Sequence, residues 1–194
     1  MFHVWDVMGL RRKHVPVGPS ERPLIGAPRR AGKAGPVSGE SQPQRQGALY
    51  AYQSMQRFGQ TFARDVMSSP VVTVNPAAML QRVLALLRRR GLRHVPVMSE
   101  GKLVGMLSER DALRHMAMSR DAAHPDATPV SAIMRQNVLS THPETPLRQV
   151  AQVMLQERAG AMPVVSDIPE LLGIVTRSDI LRWVVAHAPV ELWA

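Results

Sequence analysis

The chain contains no cysteine, which removes disulfides, thiolate metal sites and cysteine nucleophiles together. It has no apolar run approaching the roughly 18 residues that a membrane-spanning helix needs, and its first residues lack the apolar core of a secretory signal. These absences give the expectation of a soluble, cytoplasmic protein that makes no membrane contact, in keeping with a reducing compartment. No nucleophile stands with a partnered base, and there is neither a P-loop nor a Rossmann glycine fingerprint. The seven histidines lack metal-ligand spacing, so no metal and no catalytic residue is expected. Acidic residues are scarce where basic ones gather. Residues 1–60 carry nine Lys and Arg against three Asp and Glu, whereas residues 61–194 carry fifteen against twelve, so most of the net charge of +9 lies in the first third.

What is present divides into two kinds of sequence. The stretch "VGPSERPLIGAPRRAGKAGPVSGESQPQRQ", residues 17–46, is crowded with Pro, Gly, Ser and Arg and shows no periodic apolar face. It cannot offset the entropy of ordering and reads as a flexible linker. Before it, "MFHVWDVMGLRRKHVPV" alternates loosely and predicts a short strand or hairpin that docks elsewhere; after it, "ALYAYQSMQRFGQTFARDVM" reads as helical. Residues 1–60 are therefore a mostly flexible, basic N-terminal extension. With 194 residues, 45% of them hydrophobic, the remainder is long enough to bury a core.

That remainder aligns with itself. "DVMSSPVVTVNP" at 65–76 matches "AIMRQNVLSTHP" at 132–143, an offset of 67 that places Pro76 on Pro143. Leu80, Val83, Leu84 and Leu87 then correspond to Leu147, Val150, Ala151 and Met154, both sets at i, i+3, i+4, i+7. "HVPV" at 94–97 matches "AMPV" at 161–164, and "VGMLSERDAL" at 104–113 returns as "LGIVTRSDIL" at 172–181 after one inserted residue. Each copy reads strand, helix, strand, turn, strand, helix, with "VVTV" or "VLST" as the first strand. One copy, about 55 residues long, cannot cover both faces of its small sheet, so two copies packed face to face make the stable object. The fold class is α/β, with repeat 1 at 61–118, a connector at 119–129, repeat 2 at 130–188 and a tail at 189–194. The "RRR" run at 88–90 suits the negative end of a helix dipole, and the twelve methionines read as core filler.

The doubled "SERD" and "TRSD" admit two readings. In one, Ser108 and Thr176 are helix N-caps, with Asp111 and Asp179 three positions on closing a capping box that contributes about 1 kcal/mol. In the other, the helix N-terminus after a strand favours a phosphate, to which the hydroxyl donates, while the carboxylate one turn later accepts from a ribose diol. Duplication alone does not separate them, because a duplicated unit duplicates its caps.

The ordered set of a "V(V/L)(T/S)" strand, an amphipathic helix, an apolar-Pro-Val strand, then a glycine-bearing strand ending in (S/T)xxD before a helix, resembles the cystathionine-β-synthase (CBS) domain. The likeness covers about 64–118 and 130–187. It implies two βαββα repeats packed as a pseudo-twofold module, commonly paired into a homodimer, with clefts for an adenosyl ligand: AMP, ADP, ATP, S-adenosylmethionine or a dinucleotide such as NAD. Carried over by position, Asp111 and Asp179 are implied ribose ligands, and Ser108 and Thr176 phosphate ligands. Thr73, Ser140, Val95 and Met162 are implied walls of the adenine slots. The copies differ at Arg93 and His94, matched by Gly160 and Ala161, and in the offsets of Arg110 and Arg177 within the motifs. A cleft reached by Arg93 or Arg110 would favour the more highly charged nucleotide.

The expected function is a regulatory, energy-sensing module that is no enzyme and signals through conformation, dimerisation or an effector protein. Two alternatives stay open. The basic arm, residues 11–57, can grip nucleic-acid phosphates, although it has few aromatics and no recognition motif. Or the module is a ligand-free interaction scaffold in which the SxxD boxes are only caps.

Overall fold

The computed structural model describes residues 2–5, 11–13, 60–118, 128–167 and 170–187. The linker read at 17–46, most of the connector and the tail lie outside the described residues, as does the helix read over 48–67 except for its last residues. Strands β1 (Phe2–Trp5) and β2 (Arg11–Lys13) come first. Repeat 1 follows with a helical turn α1 (Ala63–Val66), helix α2 (Leu80–Arg90), strands β3 (His94–Ser99) and β4 (Lys102–Ser108), and helix α3 (Glu109–Met118). Repeat 2 opens with a 3-10 turn (Val130–Ala132) and continues with β5 (Val138–Thr141), α4 (Leu147–Gln156), β6 (Ala161–Val165), β7 (Leu171–Thr176) and α5 (Arg177–His187).

Helix α2 forms where the i, i+3, i+4, i+7 pattern places it, and Leu80, Val83, Leu84 and Leu87 are buried against Val95, Val97 and Leu107. It stops at Gly91, whose φ of 62° ends the helix, and Leu92 N–H closes back on the Leu87 carbonyl at 2.8 Å. At the matching place after α4, Arg158 holds the same left-handed conformation at φ 52°, which a side chain adopts at some cost. Leu147, Val150, Val153 and Met154 of α4 are buried, the latter three packing with Met162, Val164 and Val175 in the second core. The β3–β4 hairpin turns through Glu100 and Gly101, both at positive φ, as the two-residue turn of a right-twisted hairpin requires.

The first strand of repeat 1 corrects the symmetrical reading. "VVTV" is reduced to one parallel bridge, Val74 to Val97, whereas its counterpart β5 is a full strand. The difference lies in the partner. Strand β1 lies antiparallel along β5, pairing Phe2 with Thr141 through Trp5 with Val138, and β2 pairs with β1, which gives a sheet of order β2-β1-β5-β6-β7. The N-terminal hairpin thus docks on repeat 2, and the only backbone partner described for residues 71–74 is β3.

The repeats exchange their leading segments. Ala63 N–H donates to the Thr145 carbonyl and Leu147 N–H to that of Thr61; in mirror fashion Val130 N–H donates to Ala78 and Leu80 N–H to Thr128. Further along, Ser68 and Ile174 bond reciprocally at 2.9 and 3.1 Å, as do Arg135 and Met106 at 2.9 Å each way. Every one of these pairs maps onto its twin at offsets of 67 and 68, so the two copies are related by a pseudo-twofold. The close approach explains the repeated glycine. A Cβ on Gly105 would fall 2.5 Å from Met134 Sδ, and one on Gly173 would meet Met67 in the same way. Only a residue without a side chain lets the other repeat's segment lie this near.

Candidate functional site

Strands β4 and β7 run directly into α3 and α5, so the last strand residue is also the helix cap. Thr176 donates its hydroxyl to Asp179 Oδ2 at 2.7 Å, its own N–H donates to the same oxygen at 2.8 Å, and Asp179 N–H returns to Thr176 Oγ1 at 3.3 Å. Ser108 Oγ likewise donates to Asp111 Oδ2 at 2.7 Å and accepts from Asp111 N–H at 3.1 Å. Both motifs therefore serve as caps. A ligand that takes either hydroxyl or either carboxylate must turn it out of this bond.

The two carboxylates are neutralised by different arginines. Asp179 is 6% exposed and receives Arg182 Nη1 from its own helix at 3.0 Å on Oδ1. Asp111 receives Arg135 from the leading segment of repeat 2, Nε to Oδ2 at 3.1 Å and Nη2 to Oδ1 at 3.2 Å. This two-pronged geometry is the strong form of an arginine–carboxylate contact. Burial pushes the Asp111 pKa up, but the hydrogen bonds from Arg135 and Ser108 and the charges of Arg135 and Arg114 outweigh it, leaving the carboxyl below its ordinary value. An open cleft of about 540 Å³ lies here, lined by Asp111, Arg114, His115, Met118, Ile133 and Arg135, within the range of small-molecule sites.

His94 marks the crossing of the repeats. Its ring lies against Gly160, where a Cβ would come 2.6 Å from Nε2. Burial lowers its pKa; Asp111 opposes this, and Arg135, Arg177 and Arg93 add to it, so the imidazole is held neutral further into the acid range.

The remaining sequence-derived residues are scattered around this framework. Val95 and Met162 are 0% exposed within the two cores, and Ser140 is also fully buried on β5, so none of the three presents surface to a ligand in this structure. Thr73 lines another cleft, of about 400 Å³, with Val71, Met98, Leu171 and Leu172, and is not brought to Asp111. Arg93 is exposed, its carbonyl accepting from Glu109 N–H at 2.9 Å. Arg177 is exposed and donates from Nε to the Ala159 carbonyl at 3.1 Å. Arg110 is exposed on α3, and the arginine charges acting on Asp111 are those of Arg135 and Arg114. The sequence reading missed both. Arg114 aligns with Arg182 one turn beyond each aspartate, a repetition visible in the alignment; Arg135 stands on Ser68, a difference between copies whose meaning depends on the crossover.

Among the described residues no cluster of three or more His, Asp or Glu can hold a metal ion, and no helix is long and apolar enough to cross a membrane. Residues 63–118 and 130–186 each match the family model of the CBS domain. The CBS domain-containing protein YhcV of Bacillus subtilis (strain 168) is 36% identical over 118 residues, which make up 60% of this chain and 81% of YhcV. The L-aspartate semialdehyde sulfurtransferase of Methanocaldococcus jannaschii is 29% identical over 123 residues, 63% of this chain but 23% of that protein. Among solved structures, the CBS domain pair of protein MJ0100, in complex with 5′-methylthioadenosine and S-adenosyl-L-methionine, superposes with a TM-score of 0.59 at 28% identity, covering 65% of this chain and 97% of that one. The doubled family match, set on two repeats that exchange their leading segments, makes this chain a member of the CBS domain family, with the two domains in tandem.

Proposed function

We propose that this chain is a regulatory module that binds an adenosyl ligand beside its capped helices and signals through shape and association, without catalysing a reaction. The observation that carries the reading is the cleft beside Asp111, where a hydroxyl, a carboxylate and two arginines converge at a helix N-terminus. That set suits the two ends of a nucleoside phosphate: Asp111 accepts from the ribose diol, while Ser108, Arg114 and Arg135 face the anionic end. Asp179 and Thr176, with Arg182, repeat the arrangement in the second copy. Support comes from the MJ0100 pair, a structural relative whose complex holds two adenosyl compounds. Dissociation constants in the micromolar to millimolar range correspond to about 4 to 8 kcal/mol.

The output in this reading is a second copy of the module. Leu113 and Met118 on α3 and Leu181 and Val185 on α5 are exposed, and Leu113 and Leu181 occupy corresponding positions at offset 68, so each repeat ends in a helix with uncovered apolar residues. Calorimetry and thermal shift of the full chain with AMP, ATP, S-adenosylmethionine and NAD test the sensor; no response to any of them removes it. The capping bonds give the scaffold reading its own footing. Under that reading Asp111→Asn changes stability alone, whereas under the sensor reading it also abolishes a ligand response.

A further inference from the structure

We propose that Arg135 sets the selectivity of the Asp111 cleft, admitting an adenosyl ligand only when that ligand carries an anionic group able to draw the guanidinium away. The inference rests on the adenosyl-binding reading of the same cleft and adds a requirement to it. Arg135 occupies both oxygens of Asp111, at 3.1 and 3.2 Å, and Ser108 Oγ takes a further position on Oδ2 at 2.7 Å. A ribose diol needs the outward lone pairs that the guanidinium covers, so a neutral nucleoside must break a bidentate ion pair and offers it nothing in exchange. A phosphate offers a new partner of the same charge as the one given up. The side chain has room to make that exchange, since it is 72% exposed and lines the cleft.

The second repeat lacks this device. Arg135 bonds to Met106 as Ser68 bonds to Ile174, so Ser68 holds the place of Arg135 on the Asp179 side. Serine cannot span a carboxylate and brings no charge. Arg182, the partner of Asp179, comes from the same helix and has its counterpart in Arg114, which leaves Arg135 as the asymmetric element. Because Arg135 also belongs to the segment that repeat 2 contributes to β4, its release couples the ligand to the contact between repeats.

Calorimetry of the full chain with adenosine and with AMP, on the native protein and on Arg135→Ser, is the test. The native chain is expected to bind AMP at the Asp111 cleft and adenosine there more weakly, by about tenfold or more. In Arg135→Ser the ratio of AMP to adenosine affinity at the Asp111 cleft falls by about tenfold or more, and adenosine binds more tightly than in the native chain. A cooperative melting transition shows that the variant is folded. Equal affinity for adenosine and AMP in the native chain, or an unaltered AMP-to-adenosine ratio in Arg135→Ser, overturns this proposal and leaves the adenosyl reading standing. A native chain that binds neither probe, nor ATP nor S-adenosylmethionine, overturns that reading and the proposal with it.

Discussion

Arg135 and Asp111 are 24 residues apart, belong to different repeats, and meet through two hydrogen bonds of 3.1 and 3.2 Å. The pair exists because the leading segment of repeat 2 lies along β4, so it forms only when both repeats are folded and docked. Its guanidinium is largely in water, so the expected coupling in an Asp111→Asn, Arg135→Ser double-mutant cycle is about 0.2–1 kcal/mol, decreasing with added salt. The folded-state pKa of Asp111 is below the ordinary aspartate value of 3.8. The associated stability is present above that value and is lost as pH falls through the folded pKa, and urea titrations in acid are expected to show this loss weakened in Asp111→Asn.

His94 predicts a second pH dependence. Its folded-state pKa lies below the ordinary histidine value of 6.5, since burial outweighs the attraction of Asp111 and the three arginines oppose protonation. The unfolded chain therefore takes up the proton first, so stability is fully present above pH 6.5 and declines below it. Denaturation midpoints at about pH 5 and about pH 7.5 measure the difference. In His94→Ala, which installs the residue found at the corresponding Ala161, the difference shrinks; an unchanged difference places its source elsewhere.

Gly105→Ala is expected to destabilise the chain by about 1–3 kcal/mol, because Met134 must move and the Arg135 carbonyl, 3.3 Å from the new Cβ, is part of the bridge to Met106. Thermal melting of Gly105→Ala, Met134→Ala and the double variant reads the contact directly. The double variant should lose less than the two singles together, since the smaller side chain makes room for the new methyl.

Among the described residues the buried hydroxyl of Thr141 finds no partner, while its counterpart Val74 has none to satisfy. Thr141→Val keeps the shape and removes the orphan group. A gain of about 1 kcal/mol is expected in chemical denaturation, and a loss would place a hydrogen-bond partner on Oγ1 in solution.

How much of this was legible follows from the range of each interaction. The α2 and α4 apolar faces and the hydroxyl–aspartate boxes are local patterns, set by residues three to seven positions apart, and aligning the chain with itself at offsets of 67 and 68 found the two repeats. The glycine in each motif was visible, but its reason was not, because Met134 and Met67 reach Gly105 and Gly173 only across the pseudo-twofold. The unequal first strands were hidden for a similar cause: "VVTV" and "VLST" are comparable in β propensity, and which becomes a strand depends on where β1 docks.

The sequence by itself determined a duplicated α/β unit and its capped helices, since periodicity and capping act within a few turns of chain. Tertiary structure alone decided that the repeats exchange their leading segments, that Val95 and Met162 are sealed in cores, and that Arg135 lies on Asp111. Those outcomes depend on packing between residues far apart in the chain, where geometry selects among partners that local chemistry treats alike.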